Sequence, residues 1–281
     1  MIKIVTDSTA DIPLSVREDY GIEMVPLKVH FGEETYLDAI TIHPEQFYDK
    51  LSKAEQLPTT SQPSPVDFLD TYKKLSVDED VEIISIHLSS ALSGTYQSAV
   101  LAKSLLEDKA NVTIIDSKSA SYGLGLLVIA AAEAVKQGKN KAEIIRLVQD
   151  LRNGTKIYFV VDTLEYLKKG GRIGKASALL GSLLNIKPIL TGNEAGEAAP
   201  LDKVRGHKKA MLRIIEMMKE DFAGKEIKVT VGHCKAQESA DELSLMVKEH
   251  FQINDIKCID IGPVIGTHVG PGTAAVFAHL A

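Results

Sequence analysis

Cysteine is scarce in this chain, which has two, Cys234 and Cys258, among 281 residues. Their spacing matches neither a metal-binding nor a redox motif, and the eight histidines show no zinc-binding spacing. Few cysteines are typical of proteins that work in a reducing compartment. We therefore expect no metal site and no cofactor, and we expect the protein to be cytoplasmic.

The chain also lacks a long apolar run and an excess of positive charge. Its most apolar stretch, Leu124–Ala132, is far shorter than the ~20 residues that span a bilayer, so a buried helix is the better interpretation. The first residues, MIKIVTDST, lack the basic start and apolar core of a signal peptide. The formal net charge is -6, whereas phosphate binding needs a basic face. We expect a soluble protein with no nucleic-acid partner and only transient membrane contact.

Three nucleotide-binding or catalytic motifs are incomplete or missing. Asp7-Ser8-Thr9 follows the first predicted strand, where a dinucleotide-binding fold would have a glycine-rich turn. No Gly-x-Ser-x-Gly elbow supports a hydrolase built on His87 and Ser93. Gly170–Ala176 is one residue short of an ATP-binding phosphate loop, and Ala176 stands where a metal-binding hydroxyl is needed. This basic loop is either a solvated surface or a docking site for a phosphate or an acidic partner.

Short apolar segments alternate with predicted helices over the first half of the chain. Such alternation is typical of a parallel sheet covered on both faces by helices. After Gly154 the order changes to a predicted hairpin and further strands and helices, with a last helix after Gly272. A chain of 281 residues favours two domains. We expect an N-terminal domain over residues 1–155 and a C-terminal domain over residues 156–281.

Hydroxyl-bearing residues cluster in two predicted loops that precede helices. Thr60 and Ser61 lie in a proline-rich stretch before one helix, and Ser93-Gly94-Thr95 opens another. In an open parallel sheet, ligands bind beyond the carboxyl ends of the strands, where these loops are expected. Hydroxyls and the first amide groups of a helix suit an anion. Capping of the two helices explains the same residues equally well, and the residues alone leave both interpretations open.

The segment Gly262–Gly272 contains four glycines and two prolines around His268. So many special backbone positions in a short span predict that this backbone passes close to another part of the molecule. His268 is either an ordinary histidine with a satisfied hydrogen bond or a functional residue at a strand-to-helix turn.

Taken together, these segments closely resemble the DegV family of bacterial fatty-acid-binding proteins. The matching segments follow in order along nearly the whole chain, at Ile4–Asp11, Thr60–Ser64, Leu92–Tyr96, Lys168–Arg172 and Gly266–Gly272. The resemblance implies an α/β fold. An N-terminal three-layer α/β/α domain with a parallel sheet would carry the head-group loops, and a C-terminal α/β domain with a mixed sheet would close a lipid tunnel.

The resemblance further implies a lipid carrier rather than an enzyme. One long-chain fatty acid, such as palmitate, stearate or oleate, would lie in the tunnel with its carboxylate at Thr60, Ser61, Ser93, Gly94, Thr95 and His268. A fatty-acid kinase would convert the presented carboxylate to an acyl phosphate for phospholipid synthesis, and Arg172 would contact the phosphate or the kinase. The architecture also resembles the substrate domains of dihydroxyacetone kinase, which hold a small substrate on a histidine, so a kinase substrate-binding subunit is the alternative.

Overall fold

The computed structural model describes residues 1–77, 80–106, 111–181, 185–251, 253 and 255–281. The chain divides into two compact units. The first comprises Met1–His43 and Pro58–Asn153, and the second comprises Pro44–Leu57 and Gly154–Ala281. The second unit thus includes a short segment from the N-terminal part of the sequence.

Strands and helices are numbered in chain order along the whole molecule. The strands are β1 (Ile2–Asp7), β2 (Ile22–Val25), β3 (Lys28–Phe31), β4 (Glu34–Leu37), β5 (Thr59–Ser61), β6 (Glu82–His87), β7 (Asn111–Asp116), β8 (Lys156–Val160), β9 (Ile186–Gly192), β10 (Ala198–Arg205), β11 (Ile227–His233), β12 (Lys257–Asp260) and β13 (Ala274–Leu280). The helices are α1 (Leu14–Tyr20), α2 (Pro44–Leu51), α3 (Pro65–Leu75), α4 (Thr95–Ser104), α5 (Tyr122–Lys136), α6 (Lys141–Gly154), α7 (Glu165–Lys169), α8 (His207–Phe222), α9 (Gln237–Phe251) and α10 (Pro263–Val269). Short 3-10 helices lie at Ser8–Ala10 and Gly174–Leu179.

A parallel sheet in the order β2-β1-β6-β7 forms the centre of the first unit. Because successive side chains of a strand point to opposite faces, each strand contributes side chains to both faces of this sheet. Val5 and Ile83 lie in one buried cluster with Phe68 of α3 and Ala99 of α4. Helix α5 contacts β1 and β6 and also packs against α1. The predicted parallel-sheet α/β fold is therefore confirmed for this unit.

The hydroxyl segment at Thr60 differs from its prediction as a loop. Residues Thr59–Ser61 form the short strand β5, which pairs antiparallel with β3 in a small separate sheet, in the order β4-β3-β5. Pro58 and Pro63 flank this strand rather than interrupt it. Proline is tolerated at the ends and edges of sheets, so a proline-rich stretch can still contain three paired residues.

A mixed sheet forms the second unit, in the order β10-β9-β8-β13-β11-β12. Strands β11 and β12 are parallel, whereas the other neighbouring pairs are antiparallel. Met211 and Ile214 of α8 and Leu243 of α9 are fully buried in the same cluster as strand residues of this sheet. The predicted mixed-sheet α/β fold is confirmed here as well.

The prediction of a last helix after Gly272 was wrong. The helix, α10, lies within the glycine-rich segment, and the chain continues as β13, which pairs with β8 on one side and β11 on the other. Ala274–Phe277 are nearly or fully buried in this position. A strand whose two faces are both buried is a continuous apolar run, and an alanine-rich run of this kind resembles a helix in the sequence.

The apolar stretch Leu124–Ala132 lies within α5, and Leu124, Leu127 and Val128 are at most 1% exposed. The prediction of a buried helix is therefore confirmed. Among the residues that the structure describes, no helix is both long and apolar enough to cross a bilayer.

Candidate functional site

The hydroxyl pair Ser93 and Thr95 lies where the loop after β6 enters α4. The Oγ of Ser93 and the Oγ1 of Thr95 are hydrogen bonded at 2.9 Å, and the Thr95 N–H donates to the Ser93 Oγ at 3.3 Å. Gly94 is the N-terminal cap of α4 and has no side chain to accept from the first-turn amides. Amide groups at a helix start point outward with a partial positive charge, so this turn is suited to an anion.

Gln62 joins the segment after β5 to this helix start. Its Nε2 donates to the Ser98 Oγ at 3.0 Å, and a Cβ on Gly94 would lie 2.1 Å from the Gln62 Oε1. A side chain at position 94 would thus collide with Gln62. The structure therefore brings the predicted segment around Thr60 next to the predicted segment around Ser93, and glycine at position 94 makes their close approach sterically feasible.

Thr60 and Ser61 do not present their hydroxyls in the same direction. Neighbouring residues of a strand point to opposite faces of its sheet. The Ser61 Oγ is hydrogen bonded to the His30 Nε2 at 2.8 Å, whereas Thr60 pairs with the fully buried Val29. The two hydroxyls therefore point to opposite sides of the strand, and the Ser61 hydroxyl is bonded to a histidine.

A buried polar network supports the loop that carries Ser93, and no local sequence pattern indicates it. Asp7, at the end of β1, accepts hydrogen bonds from the Thr9 N–H and hydroxyl, the Leu88 N–H and the His87 Nδ1, at 2.5 to 3.1 Å. Asp7, Thr9 and His87 are all 0% exposed. Asp7 therefore fixes the first residue after β6, from which the Ser93 loop departs.

The network continues from His87 into α3. The His87 Nε2 is 2.6 Å from the Ser85 Oγ, which is 2.8 Å from the Tyr72 hydroxyl. Burial raises the pKa of Tyr72 above its usual range, so the phenol keeps its proton at neutral pH. Because both ring nitrogens of His87 are engaged by Asp7 and Ser85, His87 does not act on Ser93 as a hydrolase base. The buried Ser85 is not accessible as a nucleophile either.

The second unit holds its own polar cluster at His268 and Arg172. Burial, and secondarily the nearby Arg172 charge, lower the pKa of His268 to about 4. The imidazole is therefore neutral at pH 7, and Arg172 supplies the positive charge. The Arg172 Nη1 donates to the Gly170 carbonyl at 2.8 Å. A neutral imidazole beside a guanidinium can donate a hydrogen bond to an anion without an ion pair of its own.

Close backbone approach explains the glycines around this cluster. A Cβ on Gly170 would lie 2.3 Å from the His268 Nδ1, and one on Gly270 would lie 2.3 Å from the Tyr166 ring. Gly270 also has a φ of 77°, which disfavours other residues. The prediction that the backbone of Gly262–Gly272 passes close to another segment is confirmed.

A cavity of about 400 Å³ lies elsewhere in the second unit. Its lining includes Asp162, Glu165 and Lys168 together with Leu179 and Pro188. Two carboxylates against one lysine make this cavity a poor environment for a fatty-acid head group. Within the described ranges, no group of three or more His, Cys, Asp or Glu is placed to hold a metal ion.

The segments that resemble DegV proteins in the sequence lie within one continuous family match. The family model described as "Uncharacterised protein, DegV family" matches residues 1–280. The chain belongs to the DegV family. A DegV domain-containing protein of Caldanaerobacter subterraneus is 40% identical over 279 residues, which cover 98% of each chain. The resemblance seen in the sequence is thus confirmed.

Solved DegV structures share the whole fold. A DegV family protein from Thermus thermophilus, described by its fatty-acid binding, has a TM-score of 0.92 at 35% identity and covers 100% of this chain and 99% of its own. A stearic-acid-binding protein from Eubacterium ventriosum has a TM-score of 0.92 at 28% identity and covers 100% and 98%. Both relatives are described by their fatty-acid binding, which agrees with a binding protein rather than an enzyme.

Proposed function

We propose that this DegV protein binds one long-chain fatty acid in an internal tunnel. The observation that carries the proposal is the full-length match, at 28 to 35% identity, to solved DegV proteins that bind fatty acids. The proposed carboxylate site comprises Thr60, Ser61, the Ser93-Gly94-Thr95 turn and His268. Among the hydroxyls, Ser93 and Thr95 are the primary candidates because they stand at the uncapped start of α4.

The acyl tail would provide most of the affinity. Burying one methylene stabilises a complex by about 0.8 kcal/mol, so a sixteen-carbon tail contributes roughly 10 kcal/mol before ordering costs. Each hydroxyl or amide that bonds the carboxylate adds about 1.5–3 kcal/mol, offset by the loss of its water. The tail therefore sets the affinity and the hydroxyls set the orientation of the head group.

A partner kinase is the finer part of the proposal. A carboxylate held by hydroxyls and amides keeps its oxygens available for chemistry, whereas a lysine would hold it in a buried ion pair. The protein would present this carboxylate to a fatty-acid kinase in the bacterial cytoplasm and retain the acyl phosphate that forms. Arg172 would then contact the phosphate or the kinase.

Binding is tested first with lipid extracts and titrations. Mass spectrometry of the purified protein is expected to detect a co-purified long-chain fatty acid. After lipid removal, Ser93→Ala should weaken oleate binding on the order of tenfold, because a charge-assisted hydrogen bond is lost. The variant His268→Gln should weaken it in the same direction. Displacement of a fluorescent fatty acid by oleate measures each affinity.

A serine at the other end of the same helix provides the matched control. Ser104 is exposed, and its hydroxyl donates to the Leu101 carbonyl within α4. Ser104→Ala should bind oleate as the parent protein does. Absence of co-purified lipid together with no binding of added oleate or palmitate would show that the proposed function is wrong.

A further inference from the structure

The loop after β7 lies beside the loop that carries Ser93. Strands β6 and β7 are parallel neighbours, so their carboxyl ends lie at the same edge of the sheet. The Ser89 N–H donates to the Ser119 carbonyl at 2.9 Å, and the Ser93 N–H donates to the Ser89 carbonyl at 3.1 Å. Two main-chain hydrogen bonds therefore connect Ser119 to Ser93.

Most polar groups of the β7 loop have protein partners. The Asp116 carboxylate accepts from the Ser90 hydroxyl at 2.5 Å and from the Lys118 N–H at 2.9 Å. The Ser117 Oγ accepts from the Ser119 N–H at 3.1 Å, and the Ser121 Oγ donates to Asp11 at 2.5 Å. These contacts fix the main chain of the loop on both sides of Ser119.

The Ser119 hydroxyl is the exception. Its Oγ is shielded from solvent and has no hydrogen-bond partner within the part of the chain that the structure describes. A buried hydroxyl without a partner has lost its hydrogen bonds to water without forming new ones, which costs free energy. Almost every such group in native proteins therefore has a partner. A hydroxyl of this kind at the ligand-binding edge of a parallel sheet indicates a bound acceptor.

The loop also holds Ser119 at the cost of backbone strain. Lys118 and Ser121 both have positive φ, 51° and 53°, in a region that side-chain-bearing residues rarely adopt. Strain of this kind is retained where the surrounding contacts determine the conformation. The position of Ser119 is therefore fixed before any ligand binds, which lowers the ordering cost of a hydrogen bond from its hydroxyl.

We propose that the Ser119 hydroxyl is a further ligand of the fatty-acid carboxylate. The inference rests on the proposed fatty-acid binding and adds a third hydroxyl segment to its head-group site. A carboxylate accepts several hydrogen bonds, so Ser119 can donate while Ser93 and Thr95 donate as well. The bond should be stronger to a carboxylate than to a neutral ester, so Ser119 favours free acids over esters.

The inference is tested on the delipidated full-length protein with oleate and methyl oleate. Ser119→Ala should weaken oleate binding about tenfold and methyl oleate binding less than about threefold. Ser119→Thr, which keeps a hydroxyl, should recover part of the oleate affinity. Carbon-13 spectra of carboxyl-labelled oleate should show a changed carboxyl shift in the Ser119→Ala complex.

Ser76 provides a matched control, because it is half-buried like Ser119 and its hydroxyl donates to the Tyr72 carbonyl. Ser76→Ala should leave both the affinity and the carboxyl shift unchanged. If Ser119→Ala binds oleate as the parent does, or loses both ligands equally, the inference is overturned while fatty-acid binding stands. If the parent binds no fatty acid at all, the proposed function fails and this inference with it.

Discussion

At the scale of single residues, His268 links the polar cluster of the second unit to acid stability. Its folded pKa of about 4 lies below the ~6.5 of a histidine in an unfolded chain. The His268 imidazole therefore binds a proton below about pH 6.5 in the unfolded state, but only below about pH 4 in the folded state. The stabilisation from the neutral imidazole is complete above pH 6.5 and is lost as the pH falls from 6.5 to about 4, by about 3 kcal/mol.

Urea unfolding at several pH values measures this loss. The decrease in unfolding free energy between pH 6.5 and 4 should be smaller in His268→Gln than in the parent protein, because the substitution removes the titrating group. His43→Gln, at an exposed position, is the control and should keep the parent's decrease. Parallel pH curves for the parent and His268→Gln would contradict the burial of a neutral imidazole.

At the scale of elements, one carboxylate connects β1, β6 and, through His87 and Ser85, α3. Asp7→Asn replaces an acceptor-only group with an amide, whose NH₂ would face donors at Thr9 or Leu88. A buried donor facing another donor leaves both unsatisfied, so the unfolding free energy should fall by about 2–4 kcal/mol. Chemical denaturation followed by circular dichroism measures the change.

The control for this prediction is Asp19→Asn, an exposed carboxylate of α1. Exposed substitutions usually change stability by less than about 0.5 kcal/mol. An Asp7→Asn protein as stable as Asp19→Asn would show that the four donors around Asp7 are not energetically coupled to its charge. It would also remove the basis for regarding Asp7 as the anchor of the Ser93 loop.

Elements with a clear local pattern could be predicted from the sequence, whereas those set by pairing partners could not. The short apolar runs of β1 and β6 and the longer one of α5 reflect burial of these elements, so the local sequence was enough to predict them. Strand β13 was predicted as a helix because Ala274–Ala278 favours a helix locally, and only the neighbours β8 and β11 make it a strand. Strand β5 was predicted as a loop because the prolines around it hide the three residues that pair with β3.

The candidate site was predicted only in part, for a related reason. The hydroxyls of Ser93 and Thr95 stand in an ordered segment that identifies the family, and the structure places them together. The roles of Asp7 and His87 depend on contacts across about 80 residues of sequence, which no local pattern contains. The opposite directions of Thr60 and Ser61 follow from a strand that the sequence did not reveal.

At the scale of the whole molecule, the chain aligns with its DegV relatives over nearly its entire length. The match covers 98% of this chain and 98% of the Caldanaerobacter protein, so no large segment separates the two. Each unit has its own buried core and its own polar cluster. Under the proposed function the protein would both bind a lipid and present it to a kinase, and a substitution can test the two abilities separately.

Arg172 offers that separation. Under the proposed transfer of phosphate to a bound fatty acid, the Arg172 guanidinium stabilises the charge on the transferred phosphate. Arg172→Ala should therefore slow acyl-phosphate formation at least about tenfold. The same substitution should change oleate affinity less than about threefold. A fatty-acid kinase with ATP and the oleate-loaded protein provides the assay, with the acyl phosphate trapped by hydroxylamine. Arg172→Lys should recover only part of the rate, since an ammonium cannot make the paired hydrogen bonds of a guanidinium. Lys175→Ala removes an exposed charge of the same loop and should leave the rate unchanged. An Arg172→Ala protein phosphorylated at the parent rate would contradict the role of Arg172 in phosphate transfer.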